Sequence, residues 1–259
     1  ALIVSSYTRF EQPMINHRIR KATLKGASVN TINSKKFDFN FKTELDVLSS
    51  PQKLLSMLQS VLKSLHDINK TKTPGHLSSV KSSDIHNRIA GDLIASENAV
   101  IVLGEQLNSN PSSAEISNLI LQIALISESK IANLTLSGNS HSAEKVGFIP
   151  AHPGKNASSM LTEGTKSFLL MDIDCDYDFI HSSLAKDVFN KEDVFVVSLA
   201  SFEDQSTLDS ADVVLPMASF YETSGTHINF DGVAQSFSAS TKSPGDSKPG
   251  WKIIKVIAD

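Results

Sequence analysis

Ala211-Asp212-Val213-Val214-Leu215-Pro216, then Glu222-Thr223-Ser224-Gly225-Thr226-His227-Ile228-Asn229-Phe230-Asp231-Gly232-Val233-Ala234-Gln235, is the stretch on which the fold turns. The first six residues read as a short buried strand closed by a proline. A polar loop follows, with glycines at 225 and 232 and side-chain amides at 229 and 235. At a strand's carboxyl end such a loop lines the crevice where open α/β sheets hold ligands.

Strand and helix signals alternate on the amino-terminal side of this stretch. Leu2–Ser5 is an apolar, β-branched run, and Pro13 to Ala22 repeats Met14, Ile15 and Ile19 at helical spacing. Gly26 reads as the helix stop and residues 27–32 as the next strand, one right-handed βαβ unit. Ser50 and Pro51 read as N-cap and first residue of a helix carrying Leu54, Leu55, Leu58, Val61, Leu62 and Leu65. Residues 69–83, rich in Lys, Ser and Thr around Pro74-Gly75, are expected to be an exposed loop. Helices are expected over 84–96 and 111–127, the latter through Ile116, Leu119, Ile120, Ile123 and Leu125, with strands at 99–104 and 131–137.

A Gly-, His- and Pro-bearing crossing at 138–155 opens a second series. It has strands at 168–171, 194–199 and 213–215, helices near 178–189 and 206–210, and a last helix after Trp251. The expected fold class is α/β, with two Rossmann-like, doubly wound, mainly parallel halves at 1–137 and 138–259.

The 259 residues are 40% hydrophobic, enough to bury about 70–75% of the unfolded surface. A net charge of −4 gives no basic footprint for nucleic acid or anionic membrane. The apolar runs are about five residues long, far short of the roughly 20 a spanning helix needs. Cys175, the one cysteine, excludes an internal disulfide and any Cys-based iron–sulfur or zinc site, and a reducing compartment is the simplest reading. The chain opens without a methionine inside a strand-like run and stops at the end of a helical pattern, so it is expected to be a piece of a longer polypeptide.

Three stretches carry a resemblance to the molybdopterin oxidoreductases, and most closely to the large iron–sulfur (75 kDa) subunits of respiratory NADH:quinone oxidoreductase, complex I. Residues 211–235 resemble that family's "ADVVLP" strand and "E-x-x-G-T-x-x-N-x-E-G-R-x-Q" loop. Residues 5–21, with Arg9, Glu11, Pro13, Asn16 and Arg18 to Lys21, resemble "G-x-N-P-R-x-E-x-P…N-x-R-I-R-K", and Ser167 to Cys175 takes the place of "L-L-x-G-x-x-P". Trp251-Lys252-Ile253-Ile254 matches a "W-K-I-I" helix start.

The departures from those patterns fall on the pterin-site loops. Ser5 and Tyr7-Thr8 stand where the family has Gly and Asn-Pro, and Asp172 where it has a second Gly. Bare glycine lets a backbone approach a phosphate; Tyr7 is expected to occupy that space. Asp172, Asp174, Asp176 and Asp178 make a hostile cradle: a phosphate about 4 Å from one carboxylate meets roughly 4 kcal/mol of repulsion at an effective dielectric near 20. Val233 replaces the family's arginine. The cofactor-binding expectation is therefore none, with Ser6, Tyr7, Asp172, Glu222, Gly225, Asn229, Gly232 and Gln235 as degenerate pterin-site positions.

Other chemistry finds little support. The aspartate run lacks the glycine and terminal glutamate of a calcium loop, so a solvated acidic loop is the reading. His141 and His152 share a crossing without the spacing or partners of a zinc site. Cys175 lies between Asp174 and Asp176, which would blunt a thiolate, and no Gly-x-Ser-x-Gly or Gly-x-Gly-x-x-Gly is present. Gly104 reads as a turn glycine. Arg9, Arg18, Arg20 and Lys21 could bind phosphate, but surface pairing or contact with a neighbouring subunit is favoured. Glu222, Thr226, Asn229 and Gln235 are expected to hold the 219–235 loop together through backbone hydrogen bonds.

By resemblance, then, the chain is a non-catalytic region of an NADH:quinone oxidoreductase subunit, with no catalytic or metal-ligating residues and no cofactor of its own. The iron–sulfur clusters would sit in a Cys-rich amino-terminal part outside these residues. Other peripheral-arm subunits would be its partners, on the cytoplasmic side of a bacterial inner membrane or, less favoured, in a mitochondrial matrix. The alternatives are a molybdenum-dependent oxidoreductase such as a formate dehydrogenase, with a pterin between the halves, and a free-standing small-ligand module.

Overall fold

The computed structural model describes residues 1–135, 137–151 and 153–259, in two compact units, Ala1–Ser137 and Gly138–Asp259. Its sheets are mainly parallel and alternate with helices, as the α/β reading requires.

In unit 1, β1 (Leu2–Val4) leads through α1 (Thr8–Glu11) and α2 (Pro13–Thr23) to β2 (Asn30–Asn33) and β3 (Leu45–Leu48). Then come α3 (Pro51–Ile68), α4 (Asp84–Ile94), β4 (Val100–Leu103), α5 (Ser113–Ser127) and β5 (Lys130–Asn133). The five strands are parallel in the order β3-β2-β1-β4-β5. Strand order therefore reverses between β1 and β4, the point at which open α/β sheets form a ligand crevice. Both faces of β1 are buried because alternate side chains enter different cores. Leu2 and Val4 join Leu58, Leu62, Ile89 and Ile120 from α3, α4 and α5. Ile3 joins Ile19 of α2 and Phe39 on the opposite face.

Several sequence expectations change here. Residues 69–83 are not simply an exposed loop: Leu77, in a short 3-10 turn, is 0% exposed and packs in the main core. Val80 packs against the same core, and a charged, Ser-rich composition hid both apolar anchors. Leu125 is exposed while Ile116, Leu119, Ile120 and Ile123 are buried, because α5 turns it to the outer face. Ser50 precedes α3, but its hydroxyl makes no capping bond; its carbonyl accepts from the Lys53 N–H at 2.9 Å instead. Strand β3 and the single turn α1 had no sequence signal long enough to mark them.

Unit 2 contains α6 (Ser140–Lys145), inside what reads from sequence as an irregular crossing, then α7 (Ala157–Thr162) and β6 (Ser167–Met171). It continues through α8 (Ser182–Phe189), β7 (Phe195–Ala200), α9 (Gln205–Ser210), β8 (Val213–Pro216), β9 (Gly225–Ile228), β10 (Ala234–Phe237) and α10 (Gly250–Ala258). Strands β6, β7 and β8 are parallel and lie side by side in chain order. Phe168, Leu170 and Val196 pack on Ala185, Val188 and Phe189 of α8. On the opposite face Leu169, Met171 and Phe195 are about half exposed. Pro216 has no N–H, and the N–H of Met217 makes the bond to Ala200 O at 2.9 Å.

The expected polar loop at 219–235 is instead a 3-10 turn, Phe220–Glu222, followed by an antiparallel hairpin of β9 and β10. Its turn runs from Asn229 to Gly232, closed by the Gly232 N–H on Asn229 O at 2.9 Å, with Gly232 at a φ of 78° that a side chain would strain.

Candidate functional site

In unit 1 the loops after β1 and β4 meet at the switch point. A Cβ on Gly104 would fall 2.0 Å from Ser5 O, so this glycine is required by close approach. Its φ of −88° is ordinary, which corrects its reading as a turn glycine. Ser6 is fully buried: its N–H donates to Asn33 Oδ1 at 2.9 Å and its hydroxyl to Glu11 Oε2 at 2.7 Å. Glu11 Oε1 also accepts from Gln106 Nε2 at 3.3 Å, tying the β4 loop to α1. The crevice base is thus laced by its own side chains. Asn33 is not singled out by the sequence, because only the pairing of β1 with β2 brings its side chain to Ser6; Glu11 reads only as part of a motif, without this role.

Tyr7 does not stand alone over the strand end. Its ring stacks on Phe37 with centroids 4.5 Å apart and meets Phe39 edge-on at 5.8 Å, while its hydroxyl donates to Asp38 O at 3.1 Å. Arg9 pairs with Asp38, whose carboxyl is held below the usual range chiefly by the Asn40 N–H and then by Arg9. Arg18, Arg20 and Lys21 are exposed on α2.

Ser5 and Asp172 both follow a strand and both have left-handed backbones, with φ of 50° and 53°. These are the two places where the resemblance puts glycine. Both backbones hold a conformation that glycine adopts most easily, and both carry a side chain. Asp172 Oδ1 accepts from the Ser201 N–H at 3.1 Å, while its own N–H donates to Leu199 O at 2.8 Å. The carboxylate therefore occupies a donor that would otherwise point out from the end of β7.

Around it lies a cleft of about 280 Å³ lined by Asp172, Asp174, Asp178 and Asp204 with no Lys or Arg. These acids are internally engaged. Asp174 Oδ1 takes the Asp176 N–H and Asp178 Oδ2 the Asp174 N–H, both at 2.8 Å, and Asp176 pairs with Lys186. Asp204 caps α9, accepting from the Thr207 N–H and hydroxyl, both at 2.8 Å. Those two bonds, the backbone one first, hold its carboxyl below the ordinary range. A larger cleft of about 670 Å³ at the ends of β7 and β8 is lined by Glu203, Glu222 and Asp246, again without a cation.

Glu222 accepts from the Ser219 N–H at 2.9 Å and closes the 3-10 turn. Asn229 Oδ1 takes the Val233 N–H at 2.9 Å across the hairpin turn. Thr226 instead shares a hydrogen bond with the Ser236 hydroxyl at 2.9 Å, and Gln235 stands exposed opposite His227, its side chain making no hydrogen bond among the described residues. Two of the four expected loop-holding side chains thus reach backbone. Gly225 lies against the Phe237 ring, where a Cβ would come within 2.8 Å. Asn229 and Gly232 face a third cleft, of about 570 Å³, with His141 and Lys145. Within unit 2, then, Asp172, Glu222 and Asn229 line three different clefts.

Among the described residues no group of three or more His, Cys, Asp or Glu side chains is arranged to hold a metal. His141 Nδ1 is 3.9 Å from Glu144, and His152 lies outside the described residues. Cys175 is buried, and burial pushes its thiol pKa up. Among those residues no helix is long and apolar enough to cross a membrane.

The family model for molybdopterin oxidoreductase matches residues 1–259. The mitochondrial NADH-ubiquinone oxidoreductase 78 kDa subunit of Candida albicans is 26% identical over 261 residues, covering 100% of this chain and 31% of that protein. The 75 kDa subunit of Reclinomonas americana is 22% identical over 265 residues, covering 100% of this chain and 33% of its own length. The chain thus spans about a third of these relatives. The F420-dependent formate dehydrogenase 1 subunit alpha of Methanococcus maripaludis is 33% identical over 79 residues, 30% of this chain and 10% of that one. In fold, the chain is similar to one in the formyltransferase/hydrolase complex of Methylorubrum extorquens, with a TM-score of 0.57 at 12% identity, covering 100% of this chain and 75% of that one.

Proposed function

This chain belongs to the molybdopterin oxidoreductase family, and from that premise we propose that it is the scaffold region of an NADH:quinone oxidoreductase iron–sulfur subunit, holding no pterin. The observation that carries the reading is Asp172. It keeps the left-handed backbone of a phosphate-cradling glycine while its own carboxylate takes the Ser201 N–H. An anion seated there would have to displace a covalently tethered anion and then face Asp174, Asp178 and Asp204. At the unit 1 switch point, contact between Ser5 and Gly104 removes the bare crevice a second phosphate group would need. The residues present therefore do not fit a pterin pyrophosphate, and no chemical step is assigned to one.

In this reading, electrons pass from NADH to quinone through clusters held elsewhere in the assembly. This region packs against other peripheral-arm subunits, attached to the membrane only through them. The face would be cytoplasmic in a bacterium and matrix in a mitochondrion; the mitochondrial name of the Candida albicans relative weighs toward the latter.

A formate dehydrogenase-like enzyme is the second reading, favoured by the 33% identity to a formate dehydrogenase over 79 residues. Metal and pterin analysis of the full-length protein separates the two. Iron without molybdenum, tungsten or an extractable fluorescent pterin is expected. Stoichiometric molybdenum or tungsten accompanied by pterin would overturn the scaffold reading.

A further inference from the structure

Strand β6 is an outer strand of the unit 2 sheet. Two bonds set the phase of its ladder: Phe195 N–H to Lys166 O, and Asp172 N–H to Leu199 O, both at 2.8 Å. With Ser167 opposite Phe195, residues 166, 168, 170 and 172 face β7, so Ser167, Leu169 and Met171 direct their N–H and C=O groups away from it. No described residue makes a backbone bond to them. The opposite edge is treated differently: at the end of β8, Ala218 N–H donates to Lys248 O at 2.9 Å and Met217 bridges Lys248.

The free edge reads Ser-Phe-Leu-Leu-Met, with no charge and no proline to discourage pairing. Alongside it is a cleft of about 610 Å³, lined by Ser167 and Leu169 of the edge together with Met160, Phe179 and Phe189. Its one charged lining residue, Lys155, is paired with Glu163 at 3.3 Å.

We infer that the β6 edge is a docking site for one extended strand of the same polypeptide, from a segment outside residues 1–259, which adds to the sheet and lays alternate apolar side chains in the cleft. A lipid or small apolar ligand would fill the cleft but leave the outward amides unpaired; a main chain satisfies both features. The Candida albicans and Reclinomonas americana relatives have ample sequence outside the matched region to supply such a strand, since this chain spans only 31% and 33% of them. The inference is independent of whether a pterin binds.

Hydrogen exchange on the full-length protein in its native assembly, read residue by residue, tests it. The amides of Leu169 and Met171 are expected to exchange within tenfold of those of Phe168 and Leu170. Exchange a hundredfold faster at 169 and 171 than at 168 and 170 would overturn the proposal. A photoreactive phenylalanine at position 169 then identifies the occupant. A cross-link to a peptide of the same polypeptide outside 1–259 supports the inference. Cross-linking only to another protein, only to β6 of a second copy, only to lipid, or to nothing overturns it.

Discussion

Asp172 holds a left-handed backbone and a side-chain bond at once, and the two can be separated by substitution. Asp and Asn tolerate φ near 53° better than other non-glycine residues because a short polar side chain bonds locally. Asp172→Asn keeps both properties and should stay within about 0.5 kcal/mol of wild type. Asp172→Ala loses the Ser201 bond and pays the left-handed penalty, together about 2 kcal/mol. Asp172→Gly loses the bond but relieves the backbone, and should fall between them. Urea unfolding midpoints check the order Asn, Gly, Ala; equal losses for Gly and Ala would mean that the backbone stores no strain. The sequence made the missing glycine legible by comparison with the family pattern. That Asp172 adopts a left-handed backbone is a fact its residue type does not announce.

Helix α9 shows what a single cap does for a short element. Six residues give little helical stability of their own, so the Asp204 carboxylate on the Thr207 N–H and hydroxyl matters. Asp204→Ala should cost about 1 kcal/mol near neutral pH. Because the folded pKa of Asp204 lies below its ordinary value of 3.8, the unfolded chain binds the proton more tightly. The stabilisation is therefore complete above pH 3.8 and is lost as pH falls below it toward the folded pKa. The wild-type to Asp204→Ala difference in unfolding free energy should match at pH 7 and 5 and shrink by pH 3; a difference that grows on acidification would contradict the assignment. Elements with a long apolar repeat, such as α3, could be read from sequence because five of their core positions recur at helical spacing. Strand β3 could not: four half-exposed residues with an Asp among them gain their identity from pairing with β2 and from the Thr31–Asp46 side-chain bond. Leu125 shows the converse: by helical spacing it lies on the side of α5 opposite Ile116, Ile120 and Ile123, so apolar character without phase does not bury a residue.

Across the whole chain the two parallel sheets offer ligands different opportunities, and in the scaffold reading neither holds a phosphate. Unit 1 has the strand order that creates a crevice, but its loops touch at Ser5 and Gly104 and are tied through Glu11. Unit 2 lays its three strands in chain order, without a reversal, and lines the clefts at their ends with carboxylates. Alternating strand and helix signals sufficed to foresee parallel sheets; strand order, which decides where a crevice can exist, depends on packing partners far apart in sequence. The consequence is measurable with GDP and with pyrophosphate, the anionic parts of a dinucleotide. A ligand at 100 times its dissociation constant would add about 2.7 kcal/mol, which raises the midpoint of a chain this size by roughly 5–10 °C. At 1 mM of either compound residues 1–259 should melt within 1 °C of their ligand-free midpoint. A rise of 5 °C would mean a site of about 10 μM affinity or tighter, and Asp172 and its neighbours could not then be what keeps phosphate out.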